Sequence, residues 1–185
     1  MRHSNSAPKV NAGSMADIAF LLLIFFLVTT TIPNDVGIFR KLPTPCPEGQ
    51  ICDADIYERN ILRIYLNNEG QLFVNQNVII IQNLRSTIKD FIDNNGDVTC
   101  NYCHGSNSNT SSDNPQLAII SLSTDTETPY AWFIAIQNEL TGAYYELRED
   151  YVTNVLKKDI AALSKEELKK VKEAYPFRIS EAEVK

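Results

Sequence analysis

Basic residues are not in excess in this chain. Its 185 residues hold 17 Lys and Arg against 23 Asp and Glu, a formal net charge of −6. The basic side chains are not clustered either, so no surface for nucleic-acid phosphates is expected. The sequence also lacks a Gly-rich phosphate loop, a nucleophile elbow and an H-E-x-x-H segment. Its paired carboxylates, Glu149–Asp150 and Glu166–Glu167, fall on charged helical faces, where solvation explains them. These absences argue against a soluble enzyme. Histidine is scarce, with only His3 and His104. Long apolar runs are scarce too. There is one, Met15–Ile32 (MADIAFLLLIFFLVTTTI), and it holds a single acid, Asp17.

That run is long enough to cross a bilayer, since about 18 helical residues span about 27 Å. It does not resemble a signal-peptide core. The acid lies inside it, and no A-x-A-like cleavage site follows before Pro33. A carboxylate in a membrane helix costs roughly 2.5–3.5 kcal/mol near the centre and less near an end. Such residues face a protein interior or a water path, and proton relays are a common use. The plain alternative is an interfacial acid that snorkels to water at the end of the span. From Asp17 the helical period runs through Leu21, Ile24, Val28 and Thr31. That stripe is apolar between its ends, so the helix alone carries no proton wire.

The expected organisation is α+β: a single N-terminal transmembrane helix followed by a small α/β domain outside the membrane. Residues 1–14 form a polar tail, 15–32 the span, 33–56 a Pro-containing linker and 57–185 the domain. The short tail and large C-terminal part favour N-inside, domain-outside, which in a bacterium means the periplasm. Arg2 and Lys9 against Arg40 and Lys41 give only a small positive-inside bias. The four cysteines, Cys46, Cys52, Cys100 and Cys103, suit an oxidising compartment and two disulfides. Local sequence favours Cys46–Cys52 and Cys100–Cys103 among the possible pairings.

Within the domain the pattern reads β-β-α-β-α, with extra C-terminal helices and a final strand. Strands are expected over Ile61–Leu66 and Gln71–Val74 about an Asn67–Gly70 turn, and over Leu117–Ser123. Gln82–Asn94 has helical spacing. Thr128 is the expected cap of a helix Pro129–Thr141 that Gly142 stops, and a charged helix follows near Tyr145–Leu156. Ser164 and Glu167 form a capping-box pattern for a helix Lys165–Ala174. Pro176 ends it before a strand at Phe177–Ser180.

Cys100–His104 reads C-N-Y-C-H, the spacing of a c-type haem attachment site with His104 as axial ligand. It lies in a polar loop without an apolar box; His3 falls on the far side of the expected span and Met1 and Met15 are also far away, so a usual sixth ligand is not expected. Zinc would need Cys100, Cys103, His104 and a further cysteine, all reduced. A structural disulfide is preferred to both, so no metal and no cofactor are expected.

Val10–Asp17 (VNAGSMAD), the apolar run and Leu42–Pro43 together resemble the N-terminal part of the ExbD/TolR family, in a Bacteroidetes-like variant. In that family an Asn–Val–Thr–Pro-type segment leads to a membrane Asp six residues after the Asn. Asn11 and Asp17 keep this spacing, while Gly13 and Ser14 stand where the family has Thr and Pro. The resemblance implies a proton-channel accessory subunit of the bacterial inner membrane that energises TonB-dependent outer-membrane transport. Asp17 would carry the proton. Its implied partners are a pentameric ExbB/TolQ-like membrane protein, a TonB-like transducer and a second copy of the chain. A TolR-like envelope-integrity role, a tethered periplasmic redox protein and a passive anchor are the alternatives. The stretches Asn95–Gln116 and Ala143–Tyr175 look longer than the simple family domain. They are read as elaboration rather than separate chemistry.

Overall fold

The computed structural model describes residues 11–29 and 56–184. Leu42, Pro43, Cys46, Cys52 and most of the linker lie outside the described residues. The described residues fall into two units, an N-terminal helix and a C-terminal α+β domain.

Helix α1 spans Ala12–Thr29, starting three residues before the apolar run. Asn11 explains the earlier start. Its Oδ1 accepts from the Gly13 N–H at 3.1 Å, which caps one of the free donors of the first turn. Farther along, the Thr29 hydroxyl donates back to the Phe25 carbonyl at 2.8 Å. By length and composition α1 can cross a membrane.

The domain is built on a five-stranded mixed sheet of order β3-β2-β1-β4-β5. β1 (Ile61–Leu66) and β2 (Leu72–Val74) form an antiparallel hairpin. Asn67 builds the turn, its Oδ1 accepting from Glu69 N at 3.1 Å and Gln71 N at 2.7 Å, while Gly70 supplies φ +79°. A strand not expected from the sequence, β3 (Asn77–Ile79), follows a second tight turn. Asn75 and Gln76 make that turn with φ of 45° and 70°, the mirror-image geometry of two-residue hairpins. No glycine marks it.

Helix α2 (Ile81–Ile92) buries Leu84, Ile88, Phe91 and Ile92. β4 (Ile119–Asp125) lies parallel to β1, with Ile61 opposite Ile119. It starts two residues later than expected, because Leu117 and Ala118 close a turn by donating to the Asn114 carbonyl, each at 3.1 Å.

Helix α3 (Tyr130–Tyr151) fuses the two helices expected on either side of Gly142. Gly142 does not stop it. A Cβ there would lie 2.7 Å from Arg85 Cζ, so the bare Cα makes room for the guanidinium crossing from α2. The cost of a mid-helix glycine, about 1 kcal/mol, is offset by burial of Ile136, Leu140, Ala143, Tyr144 and Leu147. Pro129, not Thr128, occupies the N-cap position, and no side chain caps the helix. α3 unwinds through a π turn at Val152–Leu156 into Lys157, φ +52°.

Helix α4 (Lys165–Ala174) carries the Ser164/Glu167 capping box. β5 runs over Ile179–Val184, parallel to β4, and so begins later than Phe177. Phe177 packs on Tyr144 instead, with ring centroids 4.6 Å apart. One sheet face, through Leu62, Ile64, Leu66, Leu72, Val74, Ile120 and Leu122, joins the helices in a single core. The other face presents Arg63, Tyr65, Phe73, Ser121 and Ser123, half-buried or exposed.

Candidate functional site

Asp17 is the sixth residue of α1, about 8 Å along the axis from the first. It is the single ionisable side chain between Asn11 and Thr29. Five apolar residues, Ile18–Leu22, follow it directly and include both aliphatic and aromatic side chains. Asp17 is exposed on the helix, and no hydrogen bond or ion pair holds its carboxylate among the described residues.

The chemistry available there is a change of charge. Protonated, the side chain is neutral and cheap to place against lipid or apolar protein. Ionised, it needs water or a donor. Asn11, six residues earlier, is an N-cap, so its spacing to Asp17 fixes the acid relative to the start of the helix. The acid lies past the first turn, where the positive end of the helix dipole has largely faded.

The C-N-Y-C-H segment has a structural role. Cys100 and Cys103 form a disulfide with Cα atoms 5.6 Å apart. That bond uses both sulfurs, the donors that a haem attachment or a zinc site would need. His104 is 71% exposed, and its ring Nδ1 lies 4.0 Å from Asp93 Oδ2. The described residues contain no group of three His, Cys, Asp or Glu side chains arranged for a metal ion.

Buried asparagines hold this loop in place. Asn94 Nδ2 donates to the carbonyls of Ser108 at 2.9 Å and Ser112 at 2.8 Å, and its Oδ1 accepts from Ser108 N at 2.8 Å. Asn95 closes the disulfide turn by exchanging two 2.9 Å bonds with the Cys100 backbone. Between the cysteines, Tyr102 reaches across to donate its hydroxyl to the Ala174 carbonyl at 2.9 Å.

A grouping that the sequence did not reveal surrounds Asp93. Tyr175 donates to Asp93 Oδ1 at 2.6 Å and the His104 backbone N–H donates to Oδ2 at 2.8 Å. Burial, and then the hydrogen bond to Asp93, push the Tyr175 hydroxyl well above the usual phenol range, so it stays a neutral donor. Nearby, Arg85 donates to Glu139 at 2.8 Å and to Glu146 at 2.9 Å, and Lys89 donates to Glu146 at 2.9 Å. Those two cations hold the Glu146 carboxyl below its ordinary value. These side-chain pairs stand 54 to 82 positions apart, and no periodicity in one sequence links residues 93 and 175.

The family model for biopolymer transport protein ExbD/TolR matches residues 3–148. No curated protein matches the chain.

Proposed function

Because the chain belongs to the ExbD/TolR family, we propose that it is a proton-channel or stator accessory subunit. It couples the inner-membrane proton motive force to TonB-dependent transport across the outer membrane. The observation that supports this reading is Asp17, the lone charge on an otherwise uncharged 18-residue apolar helix. An acid kept in such a helix has a standing cost, and proton carriage is a use that accounts for it.

In this reading the N-terminus is cytoplasmic, α1 sits within an ExbB/TolQ-like pentamer and the domain works in the periplasm. Proton entry neutralises Asp17 and lets α1 turn past apolar walls. Proton release restores the charge and holds the helix at a wet or donor-lined position. Each charge crossing the membrane is driven by about 2.3 kcal/mol per 100 mV. A second copy of the chain and a TonB-like transducer complete the machine, and the domain passes the motion on.

Asp17→Asn tests it, made in the native background with protein level and membrane insertion verified. Asn keeps the size and polarity of Asp but cannot exchange a proton. Expected is loss of energised uptake through an outer-membrane receptor, with insertion unchanged. Normal uptake by the variant would sink the proposal. An envelope-integrity assay on the same strain separates TonB-type import from TolR-type maintenance.

A further inference from the structure

The two stretches that look like additions to the simple family domain fold against each other. Between them lies a cleft of about 320 Å³, in the lower range of small-molecule sites. The end of α2 contributes Asp90 and its C-cap residue Asp93, and the last turns of α3 contribute Asp150 and Tyr151. Tyr102 of the disulfide loop and Tyr175 after α4 complete it. Tyr151 and Tyr175 lie beyond the segment matched by the family model.

Charge and shape in this cleft point the same way. Among the described residues Lys89 is the one Lys or Arg lining it, and its ammonium is already taken by Glu146 at 2.9 Å and Asp150 at 3.7 Å. His104, also at the cleft, places Nδ1 4.0 Å from Asp93 Oδ2, beyond hydrogen-bond length. Asp93, 15% exposed, therefore has its oxygens bonded by two neutral donors, the Tyr175 hydroxyl and the His104 N–H. A sheltered carboxylate of this kind is stabilised by a cation. The walls are aromatic: Tyr102 meets Tyr151 at 5.1 Å and Tyr175 at 5.5 Å, both edge-to-face. Aromatic walls together with carboxylates favour an organic cation, which has both a charge and an apolar stem.

We propose that the cleft bounded by Asp90, Asp93, Asp150 and the three tyrosines binds an organic cation, an ammonium or guanidinium group with its alkyl stem along the tyrosine wall. A free polyamine and a lysine or arginine side chain share this chemistry. The site is independent of Asp17 and of proton coupling.

The test is titration calorimetry on the full-length protein in nanodiscs, at low salt. The probes are putrescine, blocked lysine (Nα-acetyl-lysine methylamide) and blocked arginine, with succinate and butane-1,4-diol as controls. Saturable binding of at least one cation and of neither control is expected, weakening as salt rises. Asp90→Asn combined with Asp150→Asn changes two exposed side chains, so the fold is kept. It should weaken binding about fivefold or more, from two partly screened charges. Asp17→Asn should leave it unchanged. Tighter binding of putrescine assigns a free amine, and tighter binding of a blocked residue assigns a protein side chain. Absence of saturation below about 10 mM for every cation, equal binding of the controls, or unchanged affinity in the double variant each overturns the proposal.

Discussion

Two glycines in the domain serve opposite neighbours, and that difference sets what a methyl group does at each. At Gly105 an added Cβ would lie 2.4 Å from both Asn94 Cα and the Asp93 carbonyl oxygen. Both are backbone atoms at the end of α2, so neither can turn aside. Gly105→Ala is expected to cost roughly 1–3 kcal/mol, as overpacking does, seen as a lower urea midpoint at constant slope. At Gly142 the obstacle is the Arg85 guanidinium, which can move at the expense of its bonds to Glu139 and Glu146. That loss opposes a helix-propensity gain of about 1 kcal/mol. Gly142→Ala should therefore change stability less than Gly105→Ala, and a larger loss at Gly142 would refute this account. Asp17 belongs to the same scale. Its predicted effect is on coupling and not on stability, because nothing in the described residues holds its carboxylate.

Among the elements, α4 joins a small apolar contact to a titratable first turn. Only Val171 and Ala174 are buried along its length. Its first turn depends on Glu167, which accepts from Lys158 Nζ at 2.6 Å and from Ser164 N at 3.0 Å. Lys158 first, and then the Ser164 backbone, hold the Glu167 carboxyl at about 2, below its ordinary 4.5. A depressed folded value means that the stabilisation is complete above pH 4.5 and fades as the pH falls towards 2. Amide protection at the start of α4 should drop in that window, and salt should shrink the effect because the pair is exposed. Glu167→Gln should flatten the acid dependence. An unaltered acid transition in that variant would show that the capping turn is not the titrating element.

Across the whole domain, the core extends past the end of the family match at residue 148. β4 is hydrogen-bonded to β1 on one side and to β5 on the other. Val171, Ala174 and Tyr175, all after residue 148, are buried in the domain. Ending the chain after Arg148 would expose one edge of β4 and strip the packing over Tyr144 and Leu147. Such a protein is expected to lose cooperative thermal unfolding and to associate through the opened edge. A sharp transition at the full-length midpoint would show that the matched segment folds by itself. Arg148 gives a local reason to doubt that outcome, since its guanidinium donates to the Tyr175 carbonyl at 2.7 and 3.0 Å.

Much of this protein follows from local sequence. The apolar helix and its acid, the β1 strand, the buried face of α2 and the α4 capping box each depend on residues close together in the chain. Their signals, an unbroken apolar run, alternation, a 3.6-residue period and a Ser-x-x-Glu spacing, need no knowledge of the fold. The ExbD/TolR family is legible in the same way, from the Asn11–Asp17 spacing and Leu42–Pro43. Tertiary structure decided what local rules get wrong. Gly142 reads as a helix stop, yet it lies within α3 because Arg85 from another helix occupies the space a side chain would fill. β3 follows a turn with no glycine, held by its pairing to β2. Phe177 leaves the last strand for the ring of Tyr144. The cleft around Asp93 was hidden for the same physical reason: its acids and tyrosines come from distant segments that only packing brings together, and packing leaves no period in a sequence.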